Sequence, residues 1–294
     1  MTRLQNLLPL RALSRVPVKM AALRARVSSL CWGLTTCLRQ RDRAALWLPP
    51  AWLEPPALPS SPMLTVRLSG ELIASVPDLR IVLVRATDIV PGTASVEIAS
   101  GWEETWEACS RWDGQNAQSH PRIAPWRALF TSLEISGKKY PVSVEAILRR
   151  ALRGGPPFQV NPLVDFYNTV SLRHLVPVGA FDLHGLPDLL EVRFARYGDH
   201  FQPLDSAEPE DIHPGHLVYA LGTDVITLNF WRQSSLGLVD GASSDVLFAS
   251  ELIGSDSDVV AREVAEDLAD GAARYFGACV SAAILGPGNE ERVF

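Results

Sequence analysis

Three short polar side chains, Asn161, Asp165 and Asn168, recur at i, i+4 and i+7 in a stretch whose apolar residues keep helical spacing. That places them on one line of a helix. Such groups either cap the helix and face water or join a hydrogen-bonded network against a pocket, and spacing alone leaves both readings open. Farther along stand Arg232, the cation of Asn229–Gln233, and Glu251, near the end of an apolar run. Taken alone, Glu251 reads as a salt-bridged strand-end carboxylate. His213 and His216 flank Pro214-Gly215, the pattern of a decorated turn rather than of a metal pair. The chain has no GxSxG elbow, Walker loop, GxGxxG or HExxH, which sets covalent and phosphoryl-transfer enzymes aside. The four cysteines, Cys31, Cys37, Cys109 and Cys279, form no CxxC pair and read as reduced, mostly buried thiols of a cytoplasmic protein. No metal and no cofactor is expected.

The elements that must hold these groups follow from periodicity. Asn161 as N-cap and Pro162 in the first turn open a helix running to about His174, with Val160, Leu163, Val164 and Tyr167 as its apolar stripe. Before it, Ser143 caps a short helix carrying Val144, Ile147, Leu148, Ala151 and Leu152 on one face, which Gly154-Gly155-Pro156-Pro157 ends. Leu64–Leu68 and Arg80–Arg85 read as core strands. After Pro177 the pattern turns to strands again at Leu189–Ala195, Leu217–Ala220, Val225–Phe230 and Val246–Ile253. A last helix, from about Asp256 to Phe276, opens at Ser255-Asp256-Ser257-Asp258 and buries Val259, Val260, Val264, Leu268 and Tyr275. Trp102, Glu103 and Trp106 suit a helix before an Asp113-Gly114 turn. These tryptophans, with Trp112 and Trp126, lack interleaved basic residues and read as packing rather than as a base-stacking platform.

Composition bounds the rest. The 294 residues are 47% hydrophobic and 20% charged, with a mean hydropathy of +0.08, an ordinary globular balance. No apolar run reaches the ~18–20 residues of a membrane span, and no membrane partner is expected. Residues 1–62 hold nine basic and two acidic residues, whereas 63–294 hold 18 basic and 31 acidic. An acidic body is poorly suited to gripping a polyanion by charge alone. Six prolines between Pro49 and Pro62 make a linker. The expected organisation is therefore a basic, Pro-rich extension over 1–62 and one domain over 63–294. Three readings of the extension stay open: a non-native addition upstream of a start at Met63, a transit-like or membrane-surface peptide, and a docking arm.

From Pro141 onward the residues resemble a known family. Asn161-Pro162-Leu163-Val164-Asp165-Phe166-Tyr167-Asn168, then Ser171-Leu172, then Pro177-Val178-Gly179-Ala180-Phe181-Asp182-Leu183 are similar to the VD-x-x-N helix and P-x-x-A-F-D loop of the B3/B4 domain. That domain is the tRNA-editing module of the bacterial phenylalanyl-tRNA synthetase β-subunit, and the present chain resembles its freestanding form. Val192-Arg193-Phe194-Ala195, Phe201-Gln202-Pro203-Leu204, Asn229-Phe230-Trp231-Arg232-Gln233 and Ser244–Ile253 continue the likeness, and Met63–Ile89 resembles the opening of freestanding members. The resemblance spans residues 63–280, with Asn161–Leu183 its specific part.

The resemblance implies an α/β fold of mixed β-sheets with packed helices, and a pocket that accepts the aminoacyl end of tRNA and hydrolyses a wrongly attached amino acid. Tyrosine on the phenylalanine tRNA is the family case. Carried over residue by residue, Asn168 lines the pocket and, with Arg232, supplies donors for catalysis. Glu251 is the carboxylate that accepts the tyrosine hydroxyl, with Gly179, Ala180 and Tyr167 beside it. Asn161, Asp165 and Asp182 brace the pocket, and Arg193 is an ion-pair partner. Gly179 departs from the family's histidine, so hydrolysis rests on a positioned water and the tRNA's own hydroxyl, or the domain binds without cleaving. Two functions follow: a trans-editing deacylase acting on aminoacyl-tRNA, and a non-catalytic module binding a free amino acid or other small molecule. A third reading makes the basic arm the RNA-binding element, in which case truncation before Met63 abolishes tRNA affinity.

Overall fold

The computed structural model describes residues 63–294 apart from 91, 93, 114, 115, 205 and 207. The expectations for 1–62, Cys31 and Cys37 included, and for the Gly114 turn lie outside the described residues. The elements in order are β1 (Thr65–Leu68), α1 (Gly70–Ser75), β2 (Arg80–Thr87), α2 (Ser95–Ser110), α3 (Ala124–Ser132), α4 (Ser143–Leu152), α5 (Pro162–His174), β3 (Val178–Asp182), β4 (Leu189–Phe194), β5 (His200–Phe201), β6 (Glu210–Asp211), β7 (Leu217–Leu221), β8 (Asp224–Leu228), β9 (Arg232–Gln233), β10 (Val246–Leu252), α6 (Ser257–Phe276), β11 (Cys279–Leu285) and β12 (Glu291–Val293).

They form a mixed α/β fold with two sheets. The larger runs β12-β1-β4-β7-β8-β5-β6 with β9 paired to β8, and the smaller runs β11-β2-β10-β3. The β1–β4 and β5–β8 pairs are parallel, and all other strand pairs are antiparallel. Every residue of β10 is buried, as a strand covered on both faces must be. Its alternate side chains serve two cores. Leu247 and Ala249 join the core shared with the larger sheet and α3 and α4, whereas Val246, Phe248 and Leu252 join the one under α5 and α6. Trp102, Trp106 and Trp126 are buried in the first core. The first two donate their indole N–H groups to the carbonyls of Phe158 (2.7 Å) and Gly155 (2.9 Å), so they pack rather than offer a stacking surface.

α5 keeps its expected bounds but not its expected stripe. Residues 163–172 are all buried while Val160 is exposed, because the helix lies inside the fold with neighbours on every side. Asn161 Oδ1 accepts the Val164 N–H at 3.0 Å, as the N-cap reading requires. Asn161→Ala is expected to lower unfolding stability by about 1 kcal/mol in urea denaturation.

Other expectations need correction. Ser143 does not cap α4: it is the first helical residue, after Val142, and its hydroxyl makes no capping bond. No side chain caps α6 either, and Val259 faces solvent while Val260, Val264, Leu268, Ala272 and Phe276 form the buried stripe. β8 stops at Leu228 because Asn229 and Phe230 both take left-handed backbone, φ 55° and 52°, which turns the chain away from the sheet. β11 escapes a sequence reading since Cys279-Val280-Ser281-Ala282 are exposed residues of an edge strand with no inward alternation.

Candidate functional site

A cavity of about 110 Å³ lies where the two sheets face each other. Tyr167 and Asn168 of α5 and Gly179 and Ala180 of β3 line it, together with Glu251 of β10. From the larger sheet come Thr227 and Gln233, with Phe230 and Trp231 following the left-handed turn. Gly179 and Ala249 are register partners, so two small residues face each other and keep the space open. A cavity on this scale admits one small ring or side chain.

Glu251 is the polar group at its base and is 4% exposed. Tyr219, on β7 of the opposite sheet, donates its hydroxyl to Glu251 Oε1 at 2.6 Å. Burial pushes the Glu251 carboxyl up to about 8, against the pull of the Tyr219 bond. At neutral pH the group is therefore chiefly a neutral acid, which donates one hydrogen bond and accepts others. Glu251 is paired to a phenol rather than salt-bridged. The folded chain retains a proton that the unfolded chain releases in the ordinary carboxylate range. The stability this confers is complete below that range and is lost as pH rises through about 8. Melting temperatures of the wild type and Glu251→Gln are expected to diverge across that window, with the wild type falling, and to run parallel above it.

Asn168 is the second polar group. It is 5% exposed, lines the cavity, and its carboxamide has no hydrogen-bond partner among the described residues. The amide is not enclosed in apolar packing: it opens onto the cavity. Two further groups were not foreseen. Gln233 Nε2 donates to the Ala180 carbonyl at 2.9 Å; a carbonyl only accepts, so this bond fixes the amide and leaves Gln233 Oε1 as an acceptor. Ser143 Oγ is buried without a partner and also borders the cavity. Neither residue carries a sequence signal beyond its type.

The remaining site candidates take other places. Asp165 Oδ1 accepts the Val160 N–H at 3.0 Å, and burial raises its carboxyl. The expected polar line on α5 thus divides into two residues that brace the helix start and one, Asn168, that reaches the cavity. Asp182 accepts the His184 N–H (2.8 Å) and the Ser243 hydroxyl (2.5 Å), bracing the loop after β3. Arg193 is buried in a two-pronged pair with Asp199 at 2.6 and 3.0 Å within the larger sheet. Arg232 does not line the cavity: its guanidinium pairs with Glu210 at 2.9 Å and stacks over Phe201. His216 Nδ1 accepts from Asn229 Nδ2 at 2.8 Å, and Asn229 Oδ1 in turn accepts the Leu217 N–H. That histidine steadies the turn that carries Phe230 and Trp231.

Fold and cavity together define a mixed α/β domain with a side-chain-sized polar cavity held between two sheets. The chain belongs to the B3/4 domain family, whose model matches residues 126–276. Among solved structures, it is similar to an N-terminal fragment of the phenylalanyl-tRNA synthetase beta-subunit from Pyrococcus horikoshii. The identity is 11% and the TM-score 0.36, over 74% of this chain and 50% of that one. The chain therefore spans half the length of that relative, and a likeness of this degree says nothing about function. Among the described residues no helix is long and apolar enough to cross a membrane.

Proposed function

We propose that the cavity receives the side chain of an amino acid esterified to the end of a tRNA, and that the protein hydrolyses the ester when that side chain carries a ring hydroxyl. It is then a trans-editing deacylase, with tyrosine on the phenylalanine tRNA as the substrate suggested by the family. The observation that carries the reading is that the Asn168 carboxamide, without a hydrogen-bond partner among the described residues, and the buried Glu251 carboxyl line one ring-sized cavity. The Asn161–Leu183 motif supports it.

In this reading the phenol of the ligand meets the Glu251 acid, which Tyr219 holds in place, and Gln233 Oε1 offers a second acceptor. Water adds to the ester carbonyl, and the Asn168 amide N–H donates to the oxygen that becomes negative. The bond to the ribose oxygen then breaks. That oxygen takes up the proton water gives up, leaving a free amino acid and uncharged tRNA. Asn168→Ala is expected to slow single-turnover release of tyrosine from tyrosyl-tRNA about 100-fold, with the fold intact by circular dichroism. An unchanged rate would remove Asn168 from the reaction.

A second reading, a module that binds an amino acid or other small molecule without cleaving it, is favoured by three observations. Gly179 brings no imidazole, Arg232 is engaged by Glu210, and residues 63–294 are acidic. If tyrosyl-tRNA is untouched while calorimetry shows free tyrosine binding, this second reading holds.

A further inference from the structure

A second cavity, of about 170 Å³, opens between α2, α5 and α6. α5 presents a different face to each cavity: Tyr167 and Asn168 to the first, Phe166 and Val170 to this one. With Ile98, the last two make a buried apolar wall. Two glycines line the space for different reasons. A Cβ on Gly271 of α6 would land in the Phe166 ring, so packing dictates that residue. Gly101 has no such cause. It lies inside the 16-residue α2, its φ is not positive, and a Cβ there would meet nothing within 4 Å. Glycine inside a helix costs about 1 kcal/mol relative to alanine, and here what it provides is open space in the cavity wall.

The charges at the mouth decide what could enter. Arg173 Nη1 donates to Asp267 at 2.9 Å, and His174 shares that carboxylate. Arg274 pairs with Glu97. Asp270, which also lines the cavity, has no hydrogen-bond or ion-pair partner among the described residues. Three carboxylates, Glu97, Asp267 and the exposed Asp270, stand against two guanidiniums, each already paired with one of the first two, so the mouth is net negative and favours an entering cation over an anion. We infer that this cavity binds a small organic ammonium ion with an apolar, ring-sized body, the ring against Ile98, Phe166 and Val170 and the ammonium at Asp270. The inference does not depend on the function of the first cavity.

Calorimetric titration of the full chain with phenethylammonium tests it. Binding is expected to the wild type, to weaken by up to about fivefold in Asp270→Asn, the worth of a surface ion pair, and to vanish in Gly101→Leu. That last variant carries its own folding control, since leucine for a mid-helix glycine is expected to raise the melting temperature. Glu251→Gln, which alters the first cavity, is expected to leave the titration unchanged. The carboxylate 3-phenylpropionate, bearing the same ring, is expected not to bind. Phenylpropionate binding as tightly as the amine, undiminished amine binding in Gly101→Leu, or no heat with either compound would each overturn the inference.

Discussion

Glu251→Ala is expected to abolish the preference for tyrosyl- over phenylalanyl-tRNA, a loss of discrimination on the order of 10⁴-fold. A site that hydrogen-bonds a substrate hydroxyl rejects the analogue lacking it by about that factor, because its own buried group is otherwise left unpaired. Glu251 meets this condition: it is 4% exposed, and one of its oxygens is already taken by Tyr219. Alanine also strands the Tyr219 hydroxyl, and a destabilisation of about 1–3 kcal/mol should accompany the change. Glu251→Gln separates the two effects. An amide oxygen still accepts from Tyr219, and an amide N–H replaces the O–H of an acid that burial keeps protonated to about 8. Glutamine is therefore expected to keep most of the selectivity at neutral pH, measured as the ratio of single-turnover release rates for the two esters. A glutamine variant as indiscriminate as the alanine variant would mean that an ionised carboxylate reads the hydroxyl.

Gly179→Leu is expected to eliminate ligand binding and hydrolysis together while leaving the fold at least as stable. A Cβ at this position meets nothing within 4 Å, and the backbone of β3 there is not left-handed. Glycine is thus required neither by conformation nor by close packing, and the space it leaves is the cavity itself. Replacing glycine where the backbone suits other residues tends to stabilise, because the unfolded chain loses freedom. Loss of activity with an unchanged or raised melting temperature would locate the ligand here. Activity that survives leucine would place the reaction elsewhere.

The chain order of strands and helices around the site was legible where local chemistry is strong. Asn161 and Pro162 start α5 as their residue types dictate, and the apolar run at 246–252 is β10. Asn168, Gly179 and Glu251 were legible as candidates through the motif, and the structure brings them to one cavity. What could not be read depends on long-range assembly. Tyr219 lies 32 residues from Glu251 and on the other sheet, so no local pattern announces that the carboxyl has a phenol partner or that burial protonates it. Arg232 looked available because Glu210 reaches it only through the small β5–β6 hairpin and β9. Gln233 and Ser143 become informative only once their partners, or the lack of them, are known.

The most direct test is the release of amino acid from phenylalanine-specific tRNA charged with tyrosine or with phenylalanine, by the full chain under single-turnover conditions. Tyrosine is expected to leave on the order of 10⁴-fold faster than phenylalanine, the discrimination of a site that hydrogen-bonds the hydroxyl. Equal rates for the two esters, or no release of either, would contradict a deacylase that reads a ring hydroxyl through Glu251.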